Sequence, residues 1–199
     1  VKVSETGTSY YNVFVDGKLH KVVKVCGTDT LIHLVSGIDK RIHSLKIQKR
    51  SEGEFGKTTV HQFVLSGSGR LAEEPAVRTR HIEFIGNSLT CGYGTDGKHR
   101  DEPFLVETEN CNLTFASMVA RYYDADYTLI AHSGRGAARN YGDSVRVSKV
   151  TMKDRMLNTF DEDLTHKWNF KEYRPDLVVI NLGSVSYTHL RAHETRSNL

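Results

Sequence analysis

The chain has 199 residues, of which 38% are hydrophobic, 26% are charged and only three are proline. This composition is typical of a globular protein with one large core or two smaller ones, and it excludes a disordered or collagen-like chain. The formal net charge is +3 and the basic residues are scattered, so we expect no nucleic-acid partner. The longest apolar runs are far shorter than the roughly 20 residues of a membrane helix, so we expect no membrane span. Because the sequence begins at Val1 without a methionine or a signal segment, we expect a mature form or a fragment.

The first third of the sequence has the pattern of short β-strands. Between residues 10 and 65, runs rich in Val, Ile, Phe and Tyr alternate with turn-forming residues. Asp16 and Gly17 have the character of a hairpin turn between two such runs. Strands are predicted at residues 11–15, 18–25, 31–35, 42–47 and 60–65. Strands at this spacing predict a small β-sandwich.

The pattern changes after residues 66–80, where Gly, Ser and Pro cluster. We therefore predict two domains, at residues 1–78 and 79–183. In the second domain, Asn112 is the expected N-cap of a helix whose apolar residues recur at helical spacing, namely Phe115, Met118, Val119 and Tyr122. A second helix is expected at residues 151–160, and strands are expected at residues 82–85, 127–131 and 177–182. Alternating strands and helices predict a parallel α/β sheet.

Candidate catalytic residues follow these predicted parallel strands, at the sheet edge where ligands bind in such folds. Ser88 follows the first strand in a glycine-flanked turn, which is a suitable place for a nucleophile. Gly134 follows the second strand, where backbone N–H groups can form an oxyanion hole. Gly183 follows the third. A serine after a strand is by itself most often a helix cap, and the argument rests on the combination.

Cofactor and metal sites are not predicted. The glycines at residues 134–138 lack the spacing of a dinucleotide-binding fingerprint. No set of histidines, cysteines and acidic residues has the sequence spacing of a metal site.

Three runs resemble the sequence blocks of the SGNH, or GDSL-like, hydrolases. They are residues 80–94 (RHIEFIGNSLTCGYG), 131–143 (AHSGRGAARNYGD) and 174–183 (RPDLVVINLG). Within that family, the chain resembles the two-domain carbohydrate esterases of family two, typified by acetylxylan esterases. The resemblance covers residues 1 to 183.

The resemblance implies a jelly-roll-like β-sandwich followed by a flavodoxin-like, three-layer α/β/α hydrolase domain. It implies that Ser88 is the catalytic nucleophile and that the backbone N–H groups of Ser88 and Gly134 are oxyanion donors. The implied activity is removal of O-acetyl groups from a carbohydrate such as xylan through an acyl-enzyme, without a cofactor. A secreted or periplasmic location is also implied, and no oligomeric state is predicted.

The sequence departs from the family at two of these blocks. Asn87 stands where the first block more often has aspartate, which is a mild variation. After Gly183 the third block should continue as Thr, Asn and Asp, but the chain has Ser184, Val185 and Ser186. The side-chain oxyanion donor of the third block is therefore expected to be missing.

The C-terminal residues 184–199 resemble a translated sequencing-adapter read-through rather than a protein segment. His189 and His193 in this tail are read as solvated residues, because the catalytic histidine of the family lies well downstream of the third block. We therefore expect a truncated hydrolase domain, an exposed edge at the third parallel strand and near-background activity.

Two other functions remain open at this point. The chain can be a non-catalytic carbohydrate-binding protein, for which Tyr10, Tyr11, Phe55 and Trp168 are candidate aromatic contacts. It can also be an SGNH lipase or thioesterase, which an apolar acyl channel would distinguish.

Overall fold

A computed structural model describes residues 1–73, 78–171 and 173–185 of the chain. The fold is mixed α/β, with a β-sandwich followed by a parallel sheet, and this confirms the predicted fold class. The last sandwich strand ends at Gln62 and the first parallel strand begins at His81, while Pro75 of the predicted boundary lies outside the described residues. None of the helices in the described ranges has the length and apolar character that a membrane span requires.

The N-terminal sandwich consists of two antiparallel sheets of three strands each. The strands are β1 (Lys2–Glu5), β2 (Thr8–Val15), β3 (Lys18–Cys26), β4 (Thr30–Leu31), β5 (Leu45–Lys49) and β6 (Thr58–Gln62). One sheet has the order β4-β1-β6 and the other the order β3-β2-β5. Val3, Val13 and Val25 in these strands are buried.

The predicted hairpin is present, because Asp16 and Gly17 join β2 to β3 with φ values of 51° and 77°. Positive φ at both central residues matches the right-handed twist of the flanking strands. Three other predicted strands were misplaced. The strand expected at residues 31–35 ends at Leu31, and those expected at residues 42–47 and 60–65 begin later and earlier, respectively.

The second part of the chain contains a parallel sheet with the order β11-β7-β8. Its elements are β7 (His81–Gly86), α1 (Ser88–Cys91), α2 (Phe115–Tyr122), β8 (Asp126–Ala131), α3 (Met152–Arg155), β9 (Asn158–Phe160), β10 (Asp163–Lys167) and β11 (Leu177–Ile180). The central strand β7 aligns Ile85 with Ile130 of β8 and with Ile180 of β11. All three carboxyl ends therefore reach the same edge of the sheet.

Helix α2 packs on this sheet through small residues. Ala116 and Ala120 contact a core that includes Ile82 and Phe84, because short side chains let the helix approach the strands closely. Of the apolar set that indicated the helix, Phe115 packs edge-on against Phe84 with ring centroids 6.0 Å apart. The other members lie toward the surface, and Tyr122 is 83% exposed.

The N-cap predicted for α2 was also wrong. Thr114 caps the helix, with its Oγ1 accepting from the Ser117 N–H at 3.5 Å. Asn112 belongs to the preceding 3₁₀ turn, Cys111–Leu113.

The helix predicted at residues 151–160 was wrong beyond its first turn. The Asp154 carboxylate accepts from the Thr151 N–H at 2.8 Å and starts the helix, but α3 ends at Arg155. Strand β9 follows and pairs with β10 as an antiparallel hairpin. This pairing provides hydrogen-bond partners for the backbone N–H and C=O groups of β9, although the sequence periodicity of these residues did not indicate a strand.

Residues 48–54, which we call the interface segment, join the sandwich to the second domain. The Arg50 side chain is 2% exposed. Its Nε donates to the Glu109 carbonyl at 2.7 Å, its Nη2 donates to the Glu107 carbonyl at 3.0 Å, and it forms an ion pair with Asp96. The Gln48 side chain also donates to the Tyr127 hydroxyl at 2.8 Å. The two domains are thus connected by buried polar contacts as well as by the chain.

Candidate active site

Ser88 is half-buried and occupies the first position of α1, directly beyond β7. The turn is tight at Gly86, where a Cβ would collide with the Thr90 side chain. Asn87 is the N-cap, and its Oδ1 accepts from the Leu89 N–H at 3.3 Å. This strand–turn–helix geometry presents the Ser88 side chain at the carboxyl edge of the sheet.

Gly134 lies in the turn that follows β8. Its φ is +74°, in the left-handed region that favours glycine. The Arg135 N–H closes the turn by donating to the His132 carbonyl at 3.2 Å, and the Tyr141 N–H donates to the Gly134 carbonyl at 2.8 Å. Gly86 aligns with Ala131 in the parallel register, so Ser88 and Gly134 follow neighbouring strand ends.

The N–H groups of Ser88 and Gly134 donate to no acceptor among the described residues. A backbone N–H at the first position of a helix has no partner within the helix. The structure thus places two backbone donors without an acceptor after neighbouring strands, at one edge of the sheet.

Asn87 is fully buried and donates from Nδ2 to the Ser184 Oγ at 2.9 Å. Ser184 and Val185 after β11 are helical, and the Val185 side chain is buried. The departure from the family pattern thus begins at a residue that contacts the turn holding Ser88. Residues 186–199, with His189 and His193, lie outside the described residues.

A carboxylate from the sandwich domain, which sequence reasoning missed, reaches both turns. The Glu52 side chain is 7% exposed, and its Oε2 accepts from the Ser133 N–H at 2.7 Å. The same oxygen accepts from the Cys91 thiol at 3.3 Å. Burial, and then the Glu52 charge, raise the pKa of the Cys91 thiol well above its usual value, so this thiol remains a hydrogen-bond donor. Glu52 lies in a loop without periodicity, so only the three-dimensional structure shows that its side chain contacts both turns.

Glu109 lies beside Glu52 and is fully buried. Its Oε2 accepts from the Glu52 backbone N–H at 2.9 Å. Burial, and then the charge of Glu52, raise the pKa of Glu109 to about 9. Glu109 is therefore neutral at pH 7, which avoids placing two negative charges in one buried contact.

His132 is buried between carboxylates from two directions. Its Nδ1 lies 2.5 Å from Asp161 Oδ2, and its Nε2 lies 3.2 Å from Glu54 Oε2. Burial opposes ionisation of Asp161, but the His132 hydrogen bond and the Arg155 charge lower its pKa. Both ring nitrogens are engaged, so His132 has the contacts of a structural residue rather than of a base acting on Ser88.

Two groups of side chains bring potential metal ligands within 4.8 Å of one another in the described part of the chain. They are Glu52, Cys91 and Glu109, and Glu54, His132 and Glu162. Glu52 Oε2, Cys91 Sγ and Glu109 Oε2 contact protein partners, and Glu162 accepts from Arg155 at 2.8 Å. Oε1 of Glu52 and Oε1 of Glu109 are buried and have no hydrogen-bond partner among the described residues. The absence of a metal site stays a prediction from the sequence.

Aromatic side chains flank the candidate site. Tyr93 stacks on Phe104 with ring centroids 3.7 Å apart, and Phe104 also packs against Phe55 at 5.8 Å. Tyr141, which follows the Gly134 turn, is 70% exposed.

The other predicted sugar contacts are Tyr10, Tyr11 and Trp168. Tyr10 donates to Glu107 at 3.4 Å and Tyr11 to Thr58 at 2.6 Å, so both rings are held by their hydroxyl groups. Trp168 packs edge-on against Tyr173, with ring centroids 6.4 Å apart.

Comparisons with known proteins agree with both domains. Residues 1–75 match the family described as carbohydrate esterase 2 N-terminal, and residues 82–198 match the GDSL-like lipase/acylhydrolase family. The chain is 33% identical over 98% of its length to the cellulase/esterase CelE of Acetivibrio thermocellus, and it spans 24% of that protein. It is 30% identical over 89% of its length to an acetylxylan esterase/glucomannan deacetylase of Cellvibrio japonicus, and it spans 48% of that protein.

A solved structure shows the same architecture. A family two carbohydrate esterase from Clostridium thermocellum, determined in complex with cellohexaose, superposes with a TM-score of 0.88 at 33% identity. The match covers 95% of this chain and 57% of that one. The resemblance inferred from the sequence blocks is thereby confirmed: the chain belongs to the GDSL-like lipase/acylhydrolase family and carries an N-terminal domain of the carbohydrate esterase 2 type.

Proposed function

We propose that this chain carries the nucleophile and two oxyanion donors of a serine esterase that removes O-acetyl groups from carbohydrates. The observation that carries the proposal is the placement of Ser88 and Gly134 after neighbouring parallel strands, each with a backbone N–H that has no acceptor among the described residues. Family membership supports the same chemistry. No step of it requires a cofactor.

The reaction is acyl transfer in two halves. Ser88 Oγ attacks the acetyl carbonyl carbon, and the carbonyl oxygen becomes an oxyanion held by the N–H groups of Ser88 and Gly134. The bond from the acyl carbon to the sugar oxygen then breaks, and the sugar leaves as an alcohol after taking a proton. Water attacks the acetyl-serine, releases acetate and restores Ser88. The proton of Ser88 passes to a general base, which the family resemblance places at a histidine downstream of the third block.

A carbohydrate substrate is supported by the domain composition and by the aromatic side chains near the site. The N-terminal domain matches that of carbohydrate esterases, and Tyr141 and Tyr93 are exposed rings close in sequence to Gly134 and Ser88. Aromatic faces of this kind suit the apolar faces of sugar rings.

We further propose a domain boundary between residues 78 and 79. A secreted or periplasmic location follows because polymeric substrates remain outside the cell.

This chain is expected to hydrolyse acetyl esters at near-background rates. Ser184, Val185 and Ser186 replace the third-block Thr, Asn and Asp, so the side-chain oxyanion donor is missing. Loss of one such donor costs on the order of 10²- to 10³-fold in turnover.

Mass spectrometry of the acylated protein tests the nucleophile without requiring turnover. After incubation with 4-nitrophenyl acetate, we expect slow acetylation of the peptide that contains Ser88, and we expect Ser88→Ala to lose it. Acetylation elsewhere with none at Ser88 would contradict the proposal. Fast hydrolysis that disappears in Ser88→Ala would establish the nucleophile and refute the expected low activity.

The second candidate is a carbohydrate-binding protein that does not cleave its ligand. The altered third block and the exposed Tyr141 favour it. Calorimetric titration with xylo-oligosaccharides, combined with the acetylation experiment, separates the two functions. A protein that only binds carbohydrate should bind these ligands both before and after Ser88→Ala, and its unmodified form should give no acetyl-serine.

Lipase or thioesterase activity is less well supported by the structure. A cavity of about 350 Å³ lies against the sheet, but Glu83, Arg155 and Asp161 are among its lining residues. These charged groups do not suit a long apolar acyl chain.

A further inference from the structure

We propose that Glu52 is a positioning residue by which the β-sandwich domain holds the two turns of the esterase site. The inference rests on the proposed roles of Ser88 and Gly134. It assigns to the sandwich a part in the arrangement of the reacting groups, in addition to any contact with the sugar.

The contacts of Glu52 reach both turns from one oxygen atom. Oε2 accepts from the N–H of Ser133, the residue before Gly134, at 2.7 Å. It also accepts at 3.3 Å from the thiol of Cys91, which lies one helical turn after Ser88 in α1. A single carboxylate from the other domain therefore links the turn of the second oxyanion donor to the helix of the nucleophile.

The hydrogen bond to Ser133 fixes the backbone immediately before Gly134. The Tyr141 N–H holds the Gly134 carbonyl at 2.8 Å on the other side. With both neighbouring peptide groups held, the direction of the Gly134 N–H is set before a substrate arrives. An oxyanion hole depends on such pre-organisation, because donors that must reorient during the reaction lose much of their stabilising effect.

The short contact of 2.7 Å between Glu52 Oε2 and the Ser133 N–H suits this role. An N–H that donates to a charged oxygen forms a shorter and stronger hydrogen bond than one that donates to a neutral oxygen. The neighbouring Glu109 is neutral at pH 7, since burial and the Glu52 charge raise its pKa, so it can lie beside Glu52 without repelling it. The backbone N–H of Glu52 is held by Glu109 at 2.9 Å, and this contact fixes the start of the side chain.

Nuclear magnetic resonance of the full chain tests the contact directly. The Ser133 amide proton should resonate downfield, because it donates to a carboxylate, and it should move upfield in Glu52→Gln. Glu5→Gln is the matched control, since Glu5 is a buried carboxylate of the sandwich whose partners, Gly7 and Thr58, lie in the same domain. An unchanged Ser133 resonance in Glu52→Gln, or an equal change in Glu5→Gln, would overturn the proposal.

The acetylation rate of Ser88 by 4-nitrophenyl acetate provides the second readout. We expect about a 10- to 100-fold slower rate in Glu52→Ala, and partial recovery in Glu52→Gln, which keeps an acceptor oxygen. If Glu52→Ala does not fold, Glu52→Gln carries the test with a smaller expected loss. A changed Ser133 resonance with an unchanged acetylation rate would refute the positioning role. Absence of acetylation at Ser88 in every variant, with the resonance shift present, would instead refute the proposed nucleophile.

Discussion

Glu52 from the sandwich and Glu109 from the hydrolase domain meet in a buried contact, in which the Glu52 N–H donates to Glu109 Oε2 at 2.9 Å. Their exposed fractions are 7% and 0%. Two ionised carboxylates at such a place would repel one another with little solvent screening. The raised pKa of Glu109 means that the domain interface is formed with one of the two acids neutral.

The stability of the protein should therefore decrease as the pH rises toward 9. In the unfolded chain Glu109 loses its proton near its usual pKa of about 4.3. In the folded chain it keeps the proton up to a pKa of about 9. Between these values unfolding releases a proton, so this group lowers the free energy of unfolding by at most about 1.4 kcal/mol per pH unit.

Urea denaturation between pH 6 and pH 9 measures this dependence. Glu109→Gln imitates the neutral acid and should flatten the decrease while keeping the fold. An equally steep decrease in Glu109→Gln would show that another group is responsible.

Gly92 is expected to be one of the least replaceable residues near the site. Its φ is +86°, and a Cβ at this position would collide with the Asn110 backbone. Gly94 has a similar φ of +70° but no atom within 4 Å of the added Cβ. Gly94→Ala should thus cost only the backbone term of about 1 kcal/mol, whereas Gly92→Ala should cost about 2 to 4 kcal/mol. Thermal melts of the two variants decide the point, and equal losses would contradict the collision.

Strand β11 is expected to cause self-association of this chain. In the described part of the structure it pairs only with β7, and its Ile180 side chain is 62% exposed. An apolar edge strand with unpaired backbone groups readily pairs with another chain. Ile180→Lys should reduce association at little cost in stability, while Val179→Lys, which places a charge against the core, should destabilise the fold by about 2 kcal/mol or more. Sedimentation velocity measures the association, and a monomeric unmodified chain would contradict the prediction.

Much of the architecture could be predicted because local patterns and tertiary structure agree there. The β2–β3 hairpin was predicted from alternating side chains around Asp16 and Gly17, and β7 and β8 were predicted from short apolar runs. Ser88 and Gly134 were selected because each follows such a run. These features depend on neighbours in the sequence.

The errors occur where distant contacts decide the structure. Residues 158–160 form a strand because β10 pairs with them, and nothing within the segment indicates that partner. Asn112 is a good capping residue, but the 3₁₀ turn that it joins moves the cap to Thr114. Glu52 could not be selected at all, because its partners Cys91 and Ser133 are 39 and 81 residues away in the chain.

The buried Arg50 has a consequence for how this protein can evolve. Its guanidinium is saturated by acceptors that belong almost entirely to the other domain, at Asp96, Glu107 and Glu109. A recombination event that exchanged only the sandwich would have to supply a donor at the same place, or leave the buried Glu109 carbonyl without one. Gene shuffling is therefore expected to transfer the two domains together as one unit.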